Sequence, residues 1–380
     1  GSMLGALNPA ILYDSMTCDE VGIKLAAREK EIMLESINFP VTVNMLGGVG
    51  EYSPVINRCQ SKARRERASF LLEEKGCRVI NAFEVEAVCN NKAFTITKFI
   101  RNGVKTVKTA YVPFAVEKEG DKPIYRAEDI RKVVEGIEFS FNYPLVVKPE
   151  RGSRGRNVML IEERSQLENV LRRWVRSLDS PSGLLVQGLV NKAFDLRIVV
   201  ASYDGANHIC IASLARVPSS KEAFATNTAL GAVPVGVNIP GKAENEAAKA
   251  AAAISRKIGV LGVDAIPEAN TEAVEKVVEY ARSLKPVHER VKRFKEYFSS
   301  SVRLPLEKFL EARERMDEAF KEMFRMHEYV KLRSILEESL DDVDIYFIEV
   351  NSRPDFYINT RNCTGVDVSE AYVKCLEVML

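Results

Sequence analysis

The 380-residue sequence predicts an α/β and α+β protein of two or three modest domains, being long for a single core. Three observations carry that reading. Over the first hundred residues short apolar runs alternate with helical patterns, the signature of a small domain with a parallel sheet. Two apolar runs, PLVVKP (144–149) and NVMLIE (157–162), then flank a Gly/Arg-rich turn as a hairpin would. Finally, a stretch rich in Glu, Lys and Arg (269–340) carries apolar residues at helical spacing before IYFIEVN (345–351) returns to strand.

In chain order, AILY (10–13), VTVNML (41–46) and CRVI (77–80) are expected to be strands, and ARRERASFLLEEKG (63–76) a helix stopped by Gly76. A second helix, NKAFTITKFIRNG (91–103), stops at Gly103, and TAYVP (109–113) leads away from it. The hairpin is followed by the amphipathic helix SQLENVLRRWVRSL (165–178). After LLVQGLV (184–190), DLRIVVASY (195–203) and HICIASLARV (208–217) read as antiparallel neighbours. The helix ENEAAKAAAAISRKIG (244–259) precedes the strand LGVDAI (261–266). In the charged stretch, Phe294, Tyr297 and Phe298, then Met316, Phe320, Met323 and Phe324, each mark one helical face. Two or three long helices are expected, broken near Pro286 and Ser299-Ser300-Ser301.

The composition narrows the function. A formal net charge of +1 argues against a dedicated nucleic-acid binder. Seven cysteines with no CxxC pair fit free thiols in a reducing compartment, and three histidines do not suggest a histidine metal centre. No signal peptide is recognisable and no apolar run is long enough to span a bilayer, so a cytoplasmic protein without a membrane partner is expected. Gly1-Ser2 ahead of Met3 reads as a leftover of expression and is set aside.

Two clusters carry chemistry. In VVKPERGSRGRNV (146–158), glycines between two strands let backbone N–H groups approach phosphate oxygens, with Lys148 as a fixed cation. The same pattern also serves as an ordinary turn, and it has neither Walker nor dinucleotide-fold spacing. In FIEVN (347–351), Glu349 and Asn351 fall on one face of a strand, and with Asp264 of LGVDAI they offer the oxygen ligands that Mg2+ prefers. A solvated strand end would look the same.

Taken in order, the blocks resemble the ATP-grasp ligases of the RimK and LysX group. The likeness runs through ILYD (11–14), RERASFLLEEKGCRVIN (65–81) and NNKAFTITKFIRNGVKTVKTAYVP (90–113). It continues through KPERGSRGRNVMLIEE (148–163), VQGLVNKAFDLRIVV (186–200), ARVPSSKEAFATNTALGAV (215–233) and EVNSRPDFYINTRNCTGVDV (349–368). It implies an ATP-grasp fold: a pre-ATP-grasp α/β domain (3–112), a central lid subdomain (113–185) and a C-terminal subdomain (186–380). The helical insertion 268–342 is a departure, because relatives join the aspartate to the Glu-x-Asn pair by a short hairpin.

The resemblance also implies roles. Lys92 and Lys148 would contact ATP phosphates, and Gly152, Ser153 and Gly155 would form a lid made unusually cationic by Arg151, Arg154 and Arg156. Gln187, Gly188, Leu189 and Val190 would hold adenine through the backbone. Asp195, Arg197, Arg216 and Asn227 would line the γ-phosphate and acyl group, with Arg197, Arg216 and Asn227 in catalytic roles. Asp264, Glu349 and Asn351 would bind Mg2+, with Mn2+ as a substitute. The implied reaction joins a carboxylate acceptor (a small molecule, peptide or carrier protein) to an amino acid or other amine through an acyl phosphate. Competing readings are an ATP-grasp small-molecule kinase and a nucleotide-dependent binding protein. The insertion reads as a substrate cap, a partner surface or a homo-oligomer contact.

Overall fold

The computed structural model describes residues 8–113, 127–151, 158–176, 183–219 and 232–380. Its N-terminal part comprises β1 (Asn8–Tyr13), α1 (Cys18–Glu29), β2 (Glu35–Asn38), β3 (Tyr52–Asn57), α2 (Lys62–Glu74) and β4 (Val79–Ile80). The strands lie in the order β2-β1-β3-β4 and every pairing is parallel. Ala10, Ile11 and Leu12 of β1 and Val55 and Ile56 of β3 are all buried, as strands covered on both faces must be. Helix α1 starts on a capping box, in which Thr17 and Glu20 each bond the other's backbone N–H.

The expected strand over 41–46 does not form. Phe39–Val41 is a short 3-10 turn, and Val43, Met45 and Leu46 are exposed. Tyr52–Asn57 takes the interior place instead, because it can bury Val55 and Ile56 against helices on both sides.

After α3 (Phe83–Cys89) and α4 (Lys92–Arg101) the chain enters a second sheet. This contains β5 (Thr109–Val112), β6 (Leu145–Pro149), β7 (Met159–Ile161) and β8 (Leu184–Gly188), with α5 (Ala127–Ser140) and α6 (Arg164–Arg176) between strands. Its order is β5-β8-β6-β7, antiparallel throughout. β5 precedes the boundary drawn at 112/113 and β8 crosses the one at 185/186, yet both pair inside this sheet. It keeps its own apolar core, including Val134, Leu145, Leu171 and Val186.

The third sheet runs β11-β10-β9-β12-β13, from β9 (Asp195–Ser202), β10 (Ile209–Val217), β11 (Val233–Gly236), β12 (Gly259–Pro267) and β13 (Ile345–Asn351). All its pairings are antiparallel. α7 (Gly241–Ile254) lies between β11 and β12. Four helices connect β12 to β13: α8 (Thr271–Ser283), α9 (Lys285–Ser300), α10 (Leu306–Phe324) and α11 (His327–Ser339). The chain closes with α12 (Asn359–Thr364) and α13 (Ser369–Met379). One continuous apolar cluster joins Ile56 of the first sheet, Val199 and Val263 of the third, and Met316 and Phe320 of the inserted helices.

Candidate active site

Cations from three parts of the chain gather at the edge between the second and third sheets. Lys148 is a buried residue of β6. Lys92 opens α4, and its backbone N–H donates to the Glu150 carbonyl at 3.0 Å, while Asn91 Nδ2 donates to Glu150 Oε2 at 3.4 Å. The start of α4 is thereby fastened to the loop after β6. Lys192, in the turn between β8 and β9, is buried and its Nζ reaches Asp195 Oδ1 at 2.7 Å.

These charges act on one another. Burial pushes the Lys148 ammonium down to about 8, Lys92 and then Lys192 add repulsion, and Glu349 pulls the other way. Lys62, at the start of α2, is also held below the ordinary lysine range by burial and then by Lys92, with Glu349 again opposing. Lys148 and Lys62 thus share the pull of one carboxylate while Lys92 repels both, an excess of positive charge that a polyphosphate would offset.

On the third sheet Asp264 of β12 sits opposite Glu349 of β13 and beside Arg197 of β9, and Asn351 sits opposite Gly262. Arg197 grips Asp264 with two nitrogens, Nε to Oδ1 at 2.6 Å and Nη2 to Oδ2 at 3.2 Å. Arg216 of β10 adds a contact from Nη2 to Oδ1 at 3.1 Å. Burial raises the Asp264 pKa, but Arg197 and then Arg216 outweigh it and hold the carboxyl below the ordinary range. Arg216 Nε is buried with no hydrogen-bond partner, an orphaned donor at the edge of the site. Asn351 Oδ1 accepts from the Arg353 backbone N–H at 2.8 Å, which fixes the amide.

The donor set suits Mg2+: two carboxylates on neighbouring strands and a fixed amide oxygen. Among the described residues no group of three or more His, Cys, Asp and Glu side chains could hold a metal ion.

In the expected adenine segment, the Gln187 side chain donates to Thr109 Oγ1 at 3.0 Å and the Gly188 N–H to the Lys108 carbonyl at 3.0 Å. Both groups serve the sheet. Leu189, exposed, and Val190, half-buried, follow immediately past the end of the strand. Gly152, Ser153 and Gly155 of the lid, with Arg154 and Arg156, lie outside the described residues, as does Asn227. Sequence reasoning missed Lys192, whose signal was the K-x-x-D spacing to Asp195, and Lys62, which no local pattern marks.

Comparison with known proteins bears on the fold and the class of reaction. Residues 104–285 match the family described as RimK-like ATP-grasp domain. The glutamate–LysW ligase ArgX of Sulfolobus acidocaldarius is 26% identical over 252 residues, 64% of this chain and 80% of that protein. The α-aminoadipate–LysW ligase LysX of Saccharolobus solfataricus is 29% identical over 249 residues, 63% of this chain and 80% of that protein. In fold, the VanG D-Ala:D-Ser ligase of Enterococcus faecalis superposes with a TM-score of 0.58 at 13% identity, covering 99% of this chain and 100% of that one. Residues 104–285 are thus similar to a RimK-like ATP-grasp domain, the chain has the ATP-grasp fold, and it is an ATP-dependent ligase that forms C–N bonds.

Proposed function

We propose that the protein joins an amino acid to a carboxylate on a peptide, carrier protein or small molecule, with ATP held between the second and third sheets. The observation that carries this reading is the gathering of Lys92, Lys192 and Glu349 around the buried Lys148, beside the Asp264–Arg197–Arg216 cluster. In the proposed assignment the lysines neutralise ATP phosphates, Asp195 orients Lys192, and Leu189 and Val190 present backbone groups to adenine. Asp264, Glu349 and Asn351 would hold Mg2+, which would supply charge neutralisation at the β- and γ-phosphates, and Mn2+ would replace it.

The acceptor carboxylate attacks the γ-phosphorus and the bond to ADP breaks, giving an acyl phosphate. The amine nitrogen then attacks the acyl carbon, phosphate leaves, and the nitrogen gives up a proton. Arg197 and the orphaned Nε of Arg216 face the oxygens on which negative charge collects. The LysW ligases among its relatives are named for joining glutamate or α-aminoadipate to LysW, which supports an amino acid and a carrier as substrates here. All seven cysteines are free thiols, which supports work in the cytoplasm, and among the described residues no helix is long and apolar enough to cross a membrane.

The test is ADP release against pairs of amino acids and carboxylate acceptors. Release that requires both, with an amide product by mass, is expected. Release with a single hydroxyl substrate would instead make the protein a kinase.

A further inference from the structure

A cavity of about 700 Å3 lies between the turn after β1, helix α9 of the insertion and the loop after β13. That volume is within the ordinary range of small-molecule sites. Its wall carries charge of both signs: Asp355 from the loop, and Lys295, Glu296 and Arg303 from the insertion, where two cations outnumber one carboxylate. Asp19 also lines it, but its oxygens are engaged elsewhere. Oδ1 accepts the Phe356 and Tyr357 backbone N–H groups, and Oδ2 pairs with Arg58.

The cavity reaches the candidate active site through one side chain. Asp355 Oδ1 is 3.5 Å from Arg197 Nη1, and Arg197 is the residue that grips Asp264. The Asp355 side chain is 75% exposed, so most of this carboxylate faces open space. Lys295 is half-buried, its Nζ 5.1 Å from the centre of the Phe320 ring, and it feels the charge of Asp355. Burial pushes its ammonium down to about 8, so a carboxylate brought beside it would hold it charged.

We propose that this cavity binds the amine substrate as a free amino acid, its ammonium at Asp355 beside Arg197 and its α-carboxylate at Lys295 and Arg303 of the insertion. The inference rests on the ligase reading and goes beyond it, because it makes the inserted helices one wall of the substrate site. Lys295 and Arg303, in excess over Glu296 on the insertion, and Asp355 on the loop favour a molecule that carries both ends. A simple amine satisfies only Asp355, and a peptide carries its terminal ammonium and carboxylate on different residues.

The test titrates the standard L-amino acids, one at a time, into the full chain holding MgADP. At least one is expected to bind. Lys295→Met, which keeps the stem packed on Phe320, should weaken that amino acid about tenfold or more while MgADP affinity stays unchanged. Lys295→Arg should retain most of the affinity, and the decarboxylated amine should bind wild type as weakly as the amino acid binds Lys295→Met. Equal amino-acid affinity in wild type, Lys295→Met and Arg303→Gln would overturn the proposal and leave the ligase reading standing. MgADP binding with no amino acid bound would overturn the choice of occupant. Absence of MgADP binding would overturn the ligase reading itself.

Discussion

Lys148 carries its charge against its surroundings, and in the proposed site this should give nucleotide binding a definite pH dependence. Its ammonium titrates near 8, first because it is buried and then because Lys92 is close, and polyphosphate raises that value again. Below about pH 8 the lysine is charged with or without nucleotide, and affinity should be level. Above it, the free protein has lost a proton that the complex keeps, so affinity should fall by up to about tenfold per pH unit. Titrations with an ATP analogue from pH 7 to 9.5 check this, and Lys148→Arg should flatten the curve. Lys148→Ala should weaken ATP by about 1.5–3 kcal/mol, the range of a charge-assisted hydrogen bond. The two acidic candidates differ in how cleanly they can be removed. Glu349→Gln should abolish ADP formation at saturating Mg2+ with little change in stability, measured by turnover alongside urea unfolding. Asp264→Asn should abolish it too, but it also leaves Arg197 and Arg216 without their buried counter-charge. A loss of about 3–5 kcal/mol of stability should accompany it.

At the scale of elements, the loop after β13 is fastened to the first sheet by buried charge. Arg58, just past β3, pairs with Asp19 at 3.1 Å and Glu20 at 2.9 Å on α1. It also donates to the Pro354 carbonyl and the Tyr372 hydroxyl, so it ties α1, the loop and α13 together. Arg58→Met should cost about 3–5 kcal/mol in urea unfolding, since buried Asp19 loses its paired cation and Glu20 keeps only Arg353. The same elements show what the sequence could reveal. Helices with an apolar stripe and strands such as PLVVKP and DLRIVVASY were legible, because their periodicity and burial agree. The strand Tyr52–Asn57 was not, since Pro54 reads as a strand breaker. In the fold Pro54 lies where the register jumps, between the pairs Asn8–Tyr52 and Ala10–Val55, so its missing N–H breaks no regular ladder. VTVNML failed for the converse reason: its alternation is strand-like, but no partner covers its apolar side chains. Of the candidate site, the order of motifs singled out Lys148, Asp264 and Glu349, which lie on strands of the second and third sheets. Lys62 and the Lys295 wall depend on contacts between distant parts of the chain.

For the molecule as a whole, the inserted helices are structural partners of the enzyme body. Phe298 and Phe309, with ring centres 4.7 Å apart, lie against Tyr357 of the body. The Tyr329 hydroxyl of α11 donates to the Pro234 carbonyl of β11 at 3.1 Å. Replacing 270–340 by a Gly/Ser hairpin should therefore yield an insoluble or unfolded chain, checked by solubility and far-UV circular dichroism. The milder Phe320→Ala should cost about 3–5 kcal/mol and leave a folded protein. The route from β12 to β13 also sets an order of events as the chain folds. Asp264 and Glu349 face each other across strands joined by four helices where a tight turn would serve. Closing so long a connection as flexible chain is entropically costly and slow, whereas helices that form early draw its ends together. In refolding from urea, helical circular dichroism should return before nucleotide affinity does. During synthesis on a ribosome, the proposed metal site would stay incomplete until Ile345–Asn351 has emerged and docked beside β12.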